Sequence, residues 1–302
     1  DPGYHSNSGC GAASGLDDTI TFSVGGTIPL TMGSLPAIVS GQGALMIDGT
    51  GQNITISGNN LYRVIWVNSG AILTLNNLAI ANGTSQTFFG GGVFNGGTLN
   101  IIGSTFSNNS APPVPGGGYG GGVYNVNTLT ITNSTFSGNS ATEGGGVLND
   151  GALTITGSTF SGNSATSGGG GVYNTFSGAL TITNSTFSDN SATGSGSRGG
   201  GVFNASGGML TITNSTFSGN GAFFGGGVYN GGSLTITNST FSGNIAGSFI
   251  FSGSGGGIYN AGGALTITNS TFSGNGASTS GGGIYVNSGT ATLKNTIIAN
   301  ST

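Results

Sequence analysis

Between Gly90 and Val286 one pattern recurs eight times: a glycine triplet, an aliphatic residue, usually an aromatic, usually Asn, then a version of Leu-Thr-Ile-Thr-Asn-Ser-Thr-Phe-Ser-Gly-Asn. The aliphatics are Val93, Val123, Val147, Val172, Val202, Val228, Ile258 and Ile284, at spacings of 30, 24, 25, 30, 26, 30 and 26. A unit of this size cannot bury its apolar face alone. It does so by stacking on its copies, which rules out a globule built round one central core.

Composition narrows the setting. Glycine is 66 of 302 residues, and disorder must be considered, but disordered chains combine low hydrophobicity with high net charge. Here 34% of residues are hydrophobic and they keep the register of the repeat, so the chain folds. The net charge is −4 and the basic residues are Arg63, Arg198 and Lys294, too few for a nucleic-acid or anionic-lipid surface. A surface of Ser, Thr, Asn and Gly points to a secreted, extracellular or cell-surface protein. Cys10 is the single cysteine and allows no internal disulfide or cysteine metal site. No stretch approaches the ~20 apolar residues of a membrane helix, so no membrane insertion is expected. A start at Asp1, without Met or signal peptide, suggests a processed or trimmed form.

In Gly120 to Ala141, Leu129 and Ile131 alternate with Thr130 and Thr132, the period-two pattern of a strand with one buried face. Phe136 is out of phase by one residue, so the chain turns a corner at Asn133-Ser134 and starts another strand. Val123 opens a third. Recurrent glycine and β-branched residues exclude helix. The expected fold is all-β: a single-stranded right-handed parallel β-helix of about ten rungs of 24–31 residues, three short strands per rung. Its handedness is taken from the family resemblance given below. Residues 1–18 form a polar N-terminal extension and 19–302 the β-helix, irregular over 19–89 and regular over 90–302. In the irregular part, strands are expected at Ile20–Val24, Leu45–Ile47, Ile54–Ile56, Val64–Val67 and Ile72–Leu75.

Three interior columns follow: Phe106, Phe136, Phe160, Phe187, Phe217, Phe241 and Phe272; the Leu/Ile pairs from Leu129/Ile131 to Leu265/Ile267; and the aliphatics after the glycine triplets. Asn109, Asn139, Asn163, Asn190, Asn220, Asn244 and Asn275 each follow a column Phe by three. Stacked in register, they make an amide ladder, and Asn tolerates the left-handed backbone of tight corners. Loops of varying length, such as 111–118 and 246–254, sit before the glycine triplets and should protrude from one edge.

The tetrapeptides Phe106-Ser107-Asn108-Asn109 through Phe272-Ser273-Gly274-Asn275 alternate with Gly90-Gly91-Gly92-Val93 and its copies. Over about residues 90–290 this resembles the repeats of the chlamydial polymorphic membrane proteins, and the wider set of secreted bacterial right-handed β-helix proteins. The resemblance implies a right-handed β-helix in a secreted or surface-exposed protein, often adhesive. The chain departs from that family in having no segment that could be its C-terminal membrane barrel, and a third Gly where Ala is usual.

Many β-helices act on polysaccharides through clustered carboxylates with a basic partner. Asp17-Asp18 lies at the edge of the first rung, Asp48 in a turn, and Asp189 replaces the Gly of Phe-Ser-Gly-Asn. Glu143 and Asp150 share a rung but flank a Gly-Val strand, with no Arg or Lys near in sequence. No enzyme activity and no cofactor is expected. His5 has no partner ligands and calcium-binding glycine repeats are missing, so no metal site is expected either.

Two outward columns stand out. Thr130/Thr132, Thr154/Thr156, Thr181/Thr183, Thr211/Thr213, Thr235/Thr237 and Thr266/Thr268 form a Thr-x-Thr array that resembles the ice-binding face of antifreeze solenoids; Thr is also a favoured residue of a wetted sheet face. Phe94, Tyr124, Tyr173, Phe203, Tyr229, Tyr259 and Tyr285, with Leu148 among them, follow the inward aliphatics and point outward by alternation. Such a row suits lateral packing or contact with surface glycans, or is partly covered by the loops. Asn133, Asn184, Asn214, Asn238 and Asn269 match the N-glycosylation pattern at a rung corner.

The expected function is structural: rods stacking head to tail into an extracellular homopolymer, because no cap is recognisable at either end and an open rung templates the next. The alternative is a fragment of a cell-surface adhesin; an ice-binding or polysaccharide-active solenoid ranks below both.

Overall fold

The computed structural model describes residues 16–112, 117–247 and 252–302. Cys10, His5 and the first fifteen residues of the extension lie outside the described residues, as do parts of the two protruding loops. Every regular element among the described residues is a β-strand, and every pairing between strands is parallel.

One rung shows the construction. Val123–Asn125, Thr128–Thr132, Thr135–Ser137 and Ser140–Glu143 are its strands. The first three pair in register with their own copies in the next rung, Leu129 with Leu153 and Phe136 with Phe160, and the fourth does so at Ser140 and Ala141 before its register shifts by one residue at Glu143. Among the described residues the chain thus winds into parallel sheets stacked along the rod, two of eleven strands, one of nine and one of six. Eleven strands at ~4.8 Å give a sheet about 48 Å tall.

The six-stranded sheet is a fourth wall beyond the three expected. It runs from Ser140–Glu143 to Gly276–Ala277. Its signal is the alanine two residues after each ladder Asn: Ala141, Ala165, Ala192, Ala222 and Ala246 are buried. Strands as short as two residues, built on Ser, Gly and Ala, are held by their neighbours and not by propensity. The irregular rungs differ for the same reason. The first strand is Asp18–Thr21, not Ile20–Val24, and the chain turns before Gly26–Pro29, leaving Val24 exposed. Ala79–Ala81 is a further strand that its composition conceals.

The interior columns form one continuous core. Successive Phe rings from Phe106 to Phe272 lie 4.7–4.8 Å apart with planes within 8° of parallel. The strand spacing sets that distance, which falls in the range of offset stacks. Isoleucines continue the column, Ile28, Ile56 and Ile80 on one side and Ile298 on the other.

The glycine triplets are required by close approach. Gly120 has φ 67°. A Cβ on Gly121 would lie 2.4 Å from the Gly145 carbonyl oxygen, and one on Gly122 2.6 Å from that of Gly146 and 3.1 Å from the Phe136 ring. The third glycine, where the resembled repeats have Ala, is therefore pressed against the next rung and the Phe column.

Two buried amide ladders run beside the core. From Asn109 to Asn275 each Nδ2 donates to the next Oδ1 at 2.9 Å. The left-handed backbone expected of these residues belongs instead to the residue before each: Asn108, Gly138, Gly162, Asp189, Gly219, Gly243 and Gly274. A side chain pointing into the rod cannot also make the exposed turn, so the two tasks fall to neighbouring residues. A second ladder, Asn95, Asn125, Asn149, Asn174, Asn204, Asn230 and Asn260, bonds at 2.6–2.8 Å. Val67 and Val286 continue its column.

Candidate functional site

The second ladder positions the aromatic column. In the strands after the glycine triplets from Val93–Asn95 to Ile258–Asn260 the aliphatic and the Asn point inward, so the residue between them points out. Register stacks these residues from Trp66 through Phe94, Tyr124, Leu148, Tyr173, Phe203, Tyr229 and Tyr259 to Tyr285. They make two runs of rings. Trp66, Phe94 and Tyr124 have centroid separations of 4.2 and 5.6 Å; Tyr173 to Tyr285 have separations of 4.4, 5.1, 5.2 and 5.2 Å. Leu148 interrupts them.

Phe203 is buried and the remaining rings are half-buried. Beside them runs another column, the residues just before the glycine triplets: Phe89, Tyr119, Glu143, Gly168, Arg198, Phe224, Ser254 and Ser280, joined by single parallel bridges except Glu143 and Gly168, which pair within strands. Within each run the ring faces stack on those of neighbouring rings.

This flanking column carries charge. Glu143 and Arg198, 55 residues apart in sequence, stand two strands apart through Gly168, about 10 Å at the strand spacing. Linear distance sets Glu143 aside for want of a basic neighbour; stacking supplies one. The signal was legible in the repeat, because both residues immediately precede a glycine triplet. Asp150 accepts a hydrogen bond from the Tyr124 hydroxyl at the Leu148 interruption. Burial, then the Asp150 charge, pushes the Glu143 carboxyl above its ordinary range. Burial is also the first cause that raises Tyr124 and Tyr173, followed by the Asp150 hydrogen bond for Tyr124 and the Glu143 charge for Tyr173.

The two arginines of this edge differ. Arg63 is buried, lies 4.6 Å from the Trp66 ring centre, and donates to Phe89 O, Gly90 O, Ser85 Oγ and Thr87 Oγ1. Burial lowers its pKa to about 10, and it stays charged at neutral pH as a clamp between rungs. Arg198 is exposed, its guanidinium 5.4 Å from the Tyr229 ring centre. It borders two troughs, one of about 280 Å³ reaching Glu143 and Tyr173, and one of about 360 Å³ reaching Tyr229 and Gly262.

The Thr-x-Thr array lies on an eleven-stranded sheet with copies in register. Both columns alternate with the buried Leu and Ile and so face outward, but they are not equally open. In the first, Thr154, Thr181, Thr211, Thr235 and Thr266 are exposed and Thr130 is half-buried. In the second, Thr132, Thr156, Thr183, Thr213, Thr237 and Thr268 are all half-buried. These six are the last residues of their strands, and the chain turns its corner directly after them. Each is therefore flanked by a corner as well as by its copies above and below, whereas the first column stands mid-strand on the open sheet. The first column is the more open of the two rows. Asn100 and Ile102 end the array on one side, and Lys294 ends its second column on the other.

Asn133, Asn184, Asn214, Asn238 and Asn269 are exposed corner residues with φ of 49–51°. The serine after each is buried; Ser134 Oγ accepts from Ser104 N–H and donates to Thr132 O. Among the described residues no three His, Cys, Asp or Glu side chains converge as metal ligands.

Neither the curated proteins nor the solved structures compared with the chain include a match. The family model for the right-handed beta helix region matches twice, over residues 42–217 and 123–302, which together take in the aromatic edge, Glu143 and Arg198. The chain belongs to that right-handed β-helix family.

Proposed function

We propose that the chain is the rod of a secreted or surface-exposed protein that binds glycan along its aromatic edge. The observation that carries this reading is the run from Tyr173 to Tyr285, five aromatic rungs in succession, bordered by troughs at Arg198. Along it, tyrosine hydroxyls and ring margins recur at the rung spacing, and aromatic bodies with polar tips suit sugars, which are apolar and hydroxylated by turns. The likeness of the repeat to the chlamydial polymorphic membrane proteins adds support for an adhesive role. The test is affinity for a panel of oligosaccharides, comparing the chain with a Tyr229→Phe/Tyr259→Phe variant, which keeps the stack and removes two hydroxyls. We expect binding in the native chain and a several-fold loss in the variant. Equal affinity in both would sink the reading.

A second reading, head-to-tail self-assembly, is favoured by the outermost described rungs. Leu293 and Ile298 continue the interior columns yet are 43% and 47% exposed, and Ile20 and Ile28 at the other end are 46% and 40% exposed. Such residues call for a further rung, from a second copy or from more of the same polypeptide. Electron microscopy of the native protein tests this: filaments with an axial repeat near ~48 Å support assembly, and dispersed rods count against it.

A further inference from the structure

Among the described residues Arg198 is the one exposed cation on the aromatic edge, since Arg63 is enclosed by its acceptors and Lys294 lies on the Thr sheet. Its guanidinium rests over Tyr229, which orients the planar fork without using its N–H donors. Glu143 stands two strands away along the same column and lines the same trough, and the charge that acts on its carboxyl is that of Asp150, not that of Arg198. The two troughs meet at this side chain and at Phe203, which line both. Thr166 and Ser195 also line the first trough, and Ser206 the second.

From this arrangement we infer that the edge selects acidic glycans, with a carboxylate or sulfate of the sugar chain held by Arg198 and the rings on either side of it seated in the two troughs. A guanidinium accepts either oxyanion through two parallel hydrogen bonds, which a neutral sugar cannot supply. The chain bears a net negative charge, so a single exposed cation on this edge fixes the register of an anionic glycan and leaves little attraction elsewhere. Glu143, at the far end of the first trough, faces the hydroxyls of the neighbouring ring. The inference rests on the glycan-binding reading above and adds the class of glycan.

Calorimetric titration separates the two. The probes are a hyaluronan tetrasaccharide (carboxylates only), a chondroitin 4-sulfate tetrasaccharide (carboxylates and sulfates) and a neutral N-acetylglucosamine tetrasaccharide, titrated into the native chain and into Arg198→Gln and Arg198→Lys. Arg198 is exposed, so both variants should fold, and circular dichroism checks that they do. The expected result is acidic binding at least about tenfold tighter than neutral, a difference Arg198→Gln removes, Arg198→Lys partly keeps, and high salt reduces. Equal affinity of the two acidic probes identifies the carboxylate as the anchored group; preference for the sulfated one identifies sulfate. Equal binding of acidic and neutral probes, unaltered in Arg198→Gln, overturns the inference and leaves glycan binding standing. Binding of none overturns both.

Discussion

The Tyr124 hydroxyl donates a hydrogen bond to the Asp150 carboxylate of the following rung, at the place where Leu148 interrupts the aromatic column. With no ring at position 148 to stack on, the next rung secures Tyr124 through its oxygen. The bond is charge-assisted and partly buried, so Tyr124→Phe should lower stability by about 1–2 kcal/mol. Asp150→Asn should lower it by a similar amount, and the double variant by less than the sum, as urea denaturation of all four proteins will read. Strict additivity would mean the two residues are not coupled.

Glu143 predicts a dependence on pH. Burial and Asp150 raise its folded-state pKa above the unfolded value of 4.5. The folded state then holds the proton more tightly than the unfolded one, so this contribution is present below about pH 4.5 and is lost as pH rises through the folded pKa. Gln at 143 carries no charge at any pH. Glu143→Gln should therefore melt higher than the native chain near pH 7 and together with it near pH 4. A constant difference across that range would remove Glu143 as its source.

How much of this was open to a reader of the sequence depends on whether a residue acts within its rung or across rungs. Phe136, Leu129, Ile131 and Asn139 declare themselves by period and by repetition, and the parallel stacking follows from copies that can only bury against copies. The fourth wall is hidden because Ser191–Ala192 and Gly221–Ala222 have no strand-forming character; their neighbours impose it. Thr154 and Thr156 look alike by alternation, and only the corner after Thr156 separates the open column from the sheltered one. The second Asn ladder was visible as a recurring Asn after each aromatic residue, yet its inward direction emerges only from the alternation with Val. The placing of Glu143 and Arg198 in one column, two strands apart, needs the number of rungs between them, which spacings of 24 to 30 residues blur. Charge in a solenoid is read down a column, not along the chain.

Asn163 tests the amide ladder. Its Oδ1 accepts from Asn139 N and Nδ2 at 3.1 and 2.9 Å, and its Nδ2 donates to Phe136 O and Asn190 Oδ1 at 2.9 Å each. Asn163→Ala strands buried donors of Asn139 and the Phe136 carbonyl, and should cost about 3–5 kcal/mol. In Asn163→Asp the acceptors remain but a carboxylate faces two oxygens, so that variant should recover stability on acidification as the carboxyl gains a donor. Asn184→Ala, at an exposed corner, is the control and should cost far less. Thermal melts that rank Asn163 with Asn184 would remove the ladder as a stabilising element.

The glycines offer a sharper test, because one residue type serves two unlike constraints. Gly162 has φ 59° with open space round a would-be Cβ, and the same rung position is held by Asn108 and Asp189, each at φ 54°. Its constraint is backbone conformation alone. Gly162→Asn should be nearly neutral, and Gly162→Ala should cost about 1 kcal/mol, the left-handed penalty of a residue with no side-chain polar group to offset it. Gly146 has an ordinary φ, but a Cβ there would lie 2.5 Å from the Gly171 carbonyl oxygen and 3.1 Å from the Phe160 ring. Its constraint is space, which Asn relieves no better than Ala. Gly146→Ala should cost about 1–3 kcal/mol by overpacking, and Gly146→Asn more. Denaturation midpoints of the four variants give the answer by their order. If Asn rescues Ala at both positions, the triplet glycine is there for its backbone and the rungs are less tightly pressed than the contacts imply; if it rescues only at 162, close approach between rungs is what the third glycine protects.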